Sequence, residues 1–293
     1  MSGSAGAPLL PLAASTAHQP SGARRALAHL HVAEVIAGLI LLFLLVAALA
    51  PQLLTATDPL AIAPASAFTP PSPGHPFGTD ESGRDIFTRV VYGARSSLLI
   101  GVAATGIGLV LALVLGSLAG LGPRAVDFGV NRLLEVLFAF PGLLLALLFI
   151  TIFGVGVTTS TIAVGLATAP GYARIIRSQI RSIRGSGFIE AAVVLGRSPG
   201  QIFRRSILPN VAAGLFALAT LGVGQAIVWA SALSFLGLGA VPPAAEWGAM
   251  LSAGRTYISV AWWLTFFPGL FVVLAAASAT VLGRGLQRRN RER

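Results

Sequence analysis

The chain has 293 residues, of which 55% are hydrophobic and only 10% are charged, with a formal net charge of +10. Soluble domains carry about a quarter charged residues, so the deficit excludes an ordinary soluble domain and points to a polytopic α-helical membrane protein. All 20 basic residues are arginine and no cysteine is present, which excludes a P-loop ATPase site and Schiff-base chemistry, both of which need a lysine, and excludes disulfides and Cys-ligated metals.

Residues 1–31 are rich in Ala, Ser, Gly and Pro and read as a disordered or cytoplasmic tail, ending in a basic stretch with Arg24 and Arg25. An apolar run over 32–50 stops at Pro51. It reads as a retained first helix. A signal peptide is the rival reading, but the run exceeds a usual signal core and the tail before it is long. Residues 51–95 form an external segment, Pro-rich and then polar. Further apolar spans are predicted at 97–121, 133–153, 160–174, 211–236 and 258–282, giving six in all. A cytoplasmic loop at 175–210, an external segment at 237–257 and a basic tail at 288–293 complete the layout.

The arginines orient this layout. With the N-terminus inside, only Arg84, Arg89, Arg95 and Arg255 lie outside, against sixteen of the 20 inside. That asymmetry is the positive-inside rule and favours N-in, C-in. It also removes nucleic acid as the explanation of the positive charge.

The long inside loop reads Glu190-Ala191-Ala192-Val193-Val194-Leu195-Gly196, then an arginine-rich stretch, then Ile207-Leu208-Pro209-Asn210. The pattern predicts two short helices joined at Gly196 and Pro199. Glycine takes the left-handed conformation that ends a helix, and proline suits the first turn of the next. Glu190 falls near a helix start, where its charge complements the dipole. On physics alone, a protein-docking knob and a solvated basic loop are equally open.

These residues resemble the EAA loop of ABC importer permeases. In that family the loop is a coupling helix inserted into a groove of the ATPase subunit. Ser206 stands where the general pattern has Ile. A second string, His75-Pro76-Phe77-Gly78-Thr79-Asp80-Glu81-Ser82-Gly83-Arg84-Asp85-Ile86-Phe87, resembles the segment before the second helix in the C-type permeases of dipeptide, oligopeptide and nickel importers. Ile86, Phe87, Val90, Val91 and Ala94 recur at helical spacing, which predicts an amphipathic helix on the outer interface with an Asp85–Arg89 pair four residues apart. Gly78, Asp80, Gly83, Arg84 and Asp85 carry this match, either in contact with an outer partner or as local caps. A third string, Leu233-Ser234-Phe235-Leu236-Gly237-Leu238-Gly239 with Trp247-Gly248 beyond it, resembles the same branch. It closes the fifth span, and Trp247 suits a headgroup-level anchor. Ala230 and Arg284 stand where the family commonly has Glu and Asp, which weakens a carry-over of peptide specificity.

Pro141, Pro170 and Pro268, each followed by glycine, fall in three spans. Proline removes a helical hydrogen bond, and broken backbone at membrane depth lines cavities or is buried. The three therefore read either as breaks near a pathway or as packing of bent helices. Gly116 and Gly120 read as a helix-packing pair. Glu34 and Glu135 sit at span edges, Glu135 three residues from Arg132, and read as interfacial groups rather than a proton relay. No His lies in a span, so no metal site is expected.

The resemblance implies an all-α, six-helix permease of type I ABC importer architecture, spanning 32–287, in the bacterial cytoplasmic membrane. It implies no catalysis in this chain. ATP and Mg would be bound by two partner ATPase subunits, beside a second permease subunit and an external substrate-binding protein. Short peptides are the implied cargo, with nickel complexes, haem or another small solute as alternatives. A self-sufficient secondary transporter or channel would want coupling-ion sites at the midplane, which these spans lack. An intramembrane enzyme would want paired acids or a Ser–His set there.

Overall fold

The computed structural model describes residues 22–291, and their regular structure is helical, with isolated bridges at Ser72–His75 and Thr79–Asp85. The tail expected over 1–31 becomes helical at Gly22, and its residues 1–21 lie outside the described residues. Helix α1 (Gly22–Leu49) ends two residues before Pro51, where its apolar run stops. Val32, Val35, Ile36, Leu39 and Leu42 are exposed along it, whereas Leu44 and Ala47 are fully buried. A stripe of exposed aliphatics at helical spacing is what a bilayer solvates, and the buried side ties α1 into the core.

Helix α2 (Ile86–Leu121) has 36 residues, about 54 Å at 1.5 Å per residue. That exceeds a hydrocarbon core of about 30 Å. The separate interfacial helix expected before residue 97 is thus the first turns of α2 itself. They are buried, with Ile86, Val90, Val91 and Ala94 all in the core.

Helices α3 (Arg124–Phe138) and α4 (Gly142–Phe153) divide the third predicted span and meet at 94°. Pro141 precedes α4 as its N-cap, so here proline begins a helix. In α5 (Val157–Arg184) and α10 (Trp263–Arg291), Pro170 and Pro268 lie inside uninterrupted helices. The breaks expected at those two positions are absent, because a missing N–H costs one ladder bond and neighbouring turns hold the rest. The chain between α5 and α10 forms α6 (Gly187–Val194), α7 (Pro199–Ile202), α8 (Leu208–Phe235) and α9 (Trp247–Gly254).

Among the described residues, α1, α2, α8 and α10 are each long and apolar enough to cross a bilayer, and the α3–α4 pair makes a fifth bent crossing. Helix α5 is long enough, at 28 residues. However, Arg174, Arg177, Arg181 and Arg184 leave it below the apolar level of the others. The element order of a six-helix permease is kept, with its third member bent and its fourth amphipathic.

Helix α2 packs along α5 through glycine. A Cβ on Gly116 would lie 2.8 Å from Ile176 Cγ2 and 2.9 Å from the Ala173 carbonyl, and one on Gly120 would lie 2.8 Å from Ile180 Cγ2. The small-residue pair thus brings two backbones together, as such pairs do where lipid offers no hydrophobic drive. Helix α10 packs on α8, and Glu34 of α1 meets Arg289 of α10 at 2.8 Å, which places the start of α1 and the end of α10 at one end of the bundle.

Candidate functional site

At the arginine-rich end, α6 stands between α5 and α8. Its Ile189 and Ala192 are buried in a cluster with Ile176, Ile180, Ile202, Ile207 and Val211. Its termination follows from sequence. Gly196 has φ +72°, its N–H bonds the Val193 carbonyl at 2.9 Å, and the Arg197 N–H bonds the Ala192 carbonyl at 3.1 Å. This is the Schellman arrangement, which a left-handed residue makes possible. Ser198 then caps α7 in a reciprocal capping box with Gln201, and Pro199 takes the first turn. A wide turn over Phe203–Ile207 leads into α8.

The remaining positions singled out in the loop sort by exposure. Ala192 and Ile207 are anchors, Leu208 is half-buried, and Glu190, Ala191, Gly196 and Pro209 are exposed. Beside them Phe188, Val193, Val194 and Leu195 are exposed apolar residues, with Val194 at 87% and Leu195 at 74%. Sequence reading missed this face. The signal was the absence of any polar residue over 191–195, which no solvated loop needs.

Sequence reading also missed the clamp behind the knob. Asp127 of α3 accepts from Arg177 Nε at 2.7 Å and also pairs with Arg181, both on α5. Glu135 pairs with Arg132 at 3.2 Å in an exposed site, as its spacing predicts.

At the opposite end, the Gly78–Asp85 string is folded inward. Asp80 is 3% exposed. Its carboxylate accepts from the Ser82 N–H at 2.8 Å, the Arg84 N–H at 2.9 Å and Arg84 Nε at 2.7 Å. Arg89 lies 3.8 Å from the same carboxylate and donates to the carbonyls of Pro59 and Pro243. The expected Asp85–Arg89 pair is not formed. Asp85 instead caps α2 by accepting from the Thr88 N–H at 2.8 Å, and meets His75 Nδ1 at 3.1 Å. An N-cap carboxylate satisfies a backbone donor that nothing else reaches, whereas Arg89 finds a buried carboxylate and two carbonyls.

The glycines of this string are also spoken for. Gly83 has φ +77°, and a Cβ there would lie 1.8 Å from the Ala63 carbonyl oxygen. Gly78 has φ +74° and abuts the Trp263 indole. Trp247, read as a headgroup anchor, is fully buried, and its indole N–H donates to the Val90 carbonyl at 2.9 Å. A Trp with a buried partner for its N–H gains more from the core than from the interface. Glu246 caps α9 through Gly248 and Ala249 and meets Ser97 Oγ at 3.2 Å. The space within the knot is about 30 Å³, enough for a water but not for a solute.

Between these ends lies a cavity of about 430 Å³ bounded by the α3–α4 elbow, α5 and α8. Phe138, Phe140, Gly142, Pro170, Arg174 and Trp229 line it. A trough of about 520 Å³ between α8 and α10 shares Gln225 and Trp229 with it. Gly142 and Pro170 thus border one cavity, and Pro268 is buried in α10 away from it. Among the described residues no group of three or more His, Cys, Asp or Glu could hold a metal.

Comparison with known proteins accounts for this arrangement. Residues 112–292 match the family described as binding-protein-dependent transport system inner membrane component. The dipeptide transport system permease protein of Alkalihalophilus pseudofirmus is 42% identical over 254 residues, 86% of this chain and 83% of that protein. The di/tripeptide transport system permease protein of Pseudomonas aeruginosa is 39% identical over 72% of this chain and 69% of that protein. The glutathione transport system permease protein of Pectobacterium atrosepticum is 37% identical over 74% and 72% respectively. Among solved structures, an inward-facing MetNI methionine ABC transporter aligns with a TM-score of 0.54 at 20% identity, covering 68% of this chain and 96% of that one. That likeness concerns the fold alone. By family match and by identity across most of its length, this chain belongs to the inner-membrane components of binding-protein-dependent transport systems, the membrane-spanning, non-catalytic permease subunits of ABC importers.

Proposed function

We propose that the chain forms half of the translocation pathway of an ATP-driven importer of short peptides in the bacterial cytoplasmic membrane. It pairs with a second permease subunit and two ATP-binding subunits that hold ATP and Mg, and receives cargo from an external binding protein. With no lysine to place on a nucleotide's phosphates, the chain borrows its ATPase. Support for peptide cargo comes from the relatives whose names specify dipeptides and tripeptides.

The observation that carries the coupling role is the shape of α6. Its exposed face is apolar with one carboxylate, Glu190, and its buried face shares one cluster with α5 and α8. A groove on an ATPase that closes on ATP would grip Phe188, Val194 and Leu195. Ile189 and Ala192 would then pass the displacement to Ile176, Ile180 and Val211 as a rigid push, because packed interiors deform little. Helices α5 and α8 wall the central cavity, so the same motion reshapes it.

The test is the complete transporter in proteoliposomes, with Glu190→Ala and Gly196→Val in this chain. Each is expected to leave the complex assembled and basal ATP hydrolysis within about twofold. Each is expected to lower ATP-driven uptake at least tenfold. Normal uptake by both variants would overturn the coupling role. Mass spectrometry of the solute that co-purifies with the binding protein tests the cargo: short peptides are expected, and a nickel complex or haem would overturn the peptide reading.

A further inference from the structure

Five arginines with a carboxylate partner (Arg84, Arg132, Arg177, Arg181 and Arg289) lie at the two ends of the molecule, and Arg89 approaches Asp80 in the outer knot. Arg174 differs. It lies on α5 one turn before Arg177, exposed, at the rim of the central cavity. Among the described residues it has neither a carboxylate within 4.0 Å nor a side-chain hydrogen bond. Its guanidinium sits over the Phe138 ring at 4.3 Å from the centroid. Residues 174, 177 and 181 share a helix face, and Asp127 of α3 pairs with Arg177 and Arg181, whereas Arg174 lies beside Phe138 at the other end of α3. An arginine stacked on an aromatic ring keeps its donor edges free, and that planar fork matches a carboxylate bidentately. Gln225 and Trp229, each with an N–H donor in its side chain, line the same space. Neither has a side-chain hydrogen bond among the described residues.

We infer that Arg174 is the point in the pathway that receives the carboxylate of a passing peptide. Gln225 and Trp229 supply the adjoining hydrogen-bond donors, and Phe138 holds the guanidinium in place. The ligand class follows from the chemistry of the walls. Aromatic and aliphatic surface accepts side chains of any type. One fixed cation selects an anionic end common to all short peptides. The cavity volume of about 430 Å³ falls in the range of small-molecule sites. Arg174 is exposed and stacks on Phe138 with no buried partner, so the site holds cargo in transit. Gln225 and Trp229 border both the central cavity and the α8–α10 trough, which gives the released peptide a continuous way along α8.

The inference rests on the proposed peptide-import function, and the experiment separates the two. Uptake of a dipeptide is measured in proteoliposomes holding the complete transporter and its loaded binding protein. ATP-driven uptake by the unaltered complex is the internal reference; its absence would overturn the peptide-import reading itself. Arg174→Gln is expected to cut uptake at least tenfold while binding-protein-stimulated ATP hydrolysis stays within about twofold. A merely structural role would move both together. Because the chain has no cysteine of its own, Arg174→Cys allows chemical rescue. An aminoethyl thiosulfonate, which restores a positive charge, is expected to recover uptake at least threefold, and the sulfonatoethyl reagent is not. Unchanged uptake by Arg174→Gln, or recovery by both reagents or by neither, would overturn the role of Arg174.

Discussion

The two ends of this permease use their most distinctive sequence in opposite ways. At one end, residues 78–89 keep Asp80, Arg84 and Arg89 buried, and each of their charges meets another within the knot. At the arginine-rich end, residues 188–196 leave Phe188, Val193, Val194 and Leu195 in the open and Glu190 without an ion pair among the described residues. Both strings contain a glycine with φ near +75°, yet Gly83 is jammed against Ala63 whereas Gly196 has nothing within 4 Å of a Cβ. One string is consumed by its own fold. The other folds no more than it must and keeps a surface in reserve. A distinctive motif therefore does not by itself mark a contact with a partner; the exposure of its side chains decides.

The comparison is broken most severely by Asp80→Ala. The carboxylate compensates two buried guanidinium groups. Removing one partner of a buried ion pair costs about 3–5 kcal/mol. Thermal unfolding of the complex in detergent, followed by tryptophan fluorescence, is expected to show a loss of that size. A loss below about 1 kcal/mol would mean the knot is solvated in the membrane. The same substitution at Glu190 is expected to leave the transition unmoved.

The glycines sharpen the contrast at smaller magnitude. Ala at either position incurs the left-handed cost of about 1–2 kcal/mol. At position 83 the new Cβ also meets a backbone oxygen at 1.8 Å, and overpacking adds about 1–3 kcal/mol. Gly83→Ala is thus expected to destabilise clearly more than Gly196→Ala. Equal losses would show that strain alone matters and that the knot yields.

These contrasts also explain what the sequence could and could not disclose. Local devices were legible because they involve residues a few positions apart: the Gly196 terminus, Pro199 at a first turn, the Arg132–Glu135 pair and the Gly116/Gly120 contact. Choices between competing partners were not. Asp85 and Arg89 sit four apart, but one has a backbone N–H to cap and the other a buried carboxylate reached through a turn. Asp127 clamps residues 50 and 54 positions away, a distance no periodicity reports. Trp247 carries an apolar body and a polar tip, which suits interface and core alike until Val90 offers its carbonyl. Pro141, Pro170 and Pro268 look alike in sequence. Only the first falls where the chain turns, and the other two are carried through by helices long enough to lose one bond.

A small expected change in stability also belongs to a surface substitution that should matter strongly for transport. Val194 is 87% exposed and sits on the last turn of α6. Val194→Asp removes no buried contact, so the unfolding transition is expected to stay within about 0.5 kcal/mol. If an apolar groove grips this face, the new charge must lose its water there, which costs more than a surface charge change. Uptake and ATP-subunit retention are then expected to fall together although the subunit itself is as stable as before. Retained transport with an unmoved transition would place the gripping surface elsewhere on the loop. Loss of function without loss of stability is the signature that separates a surface held in reserve from one already used by the fold.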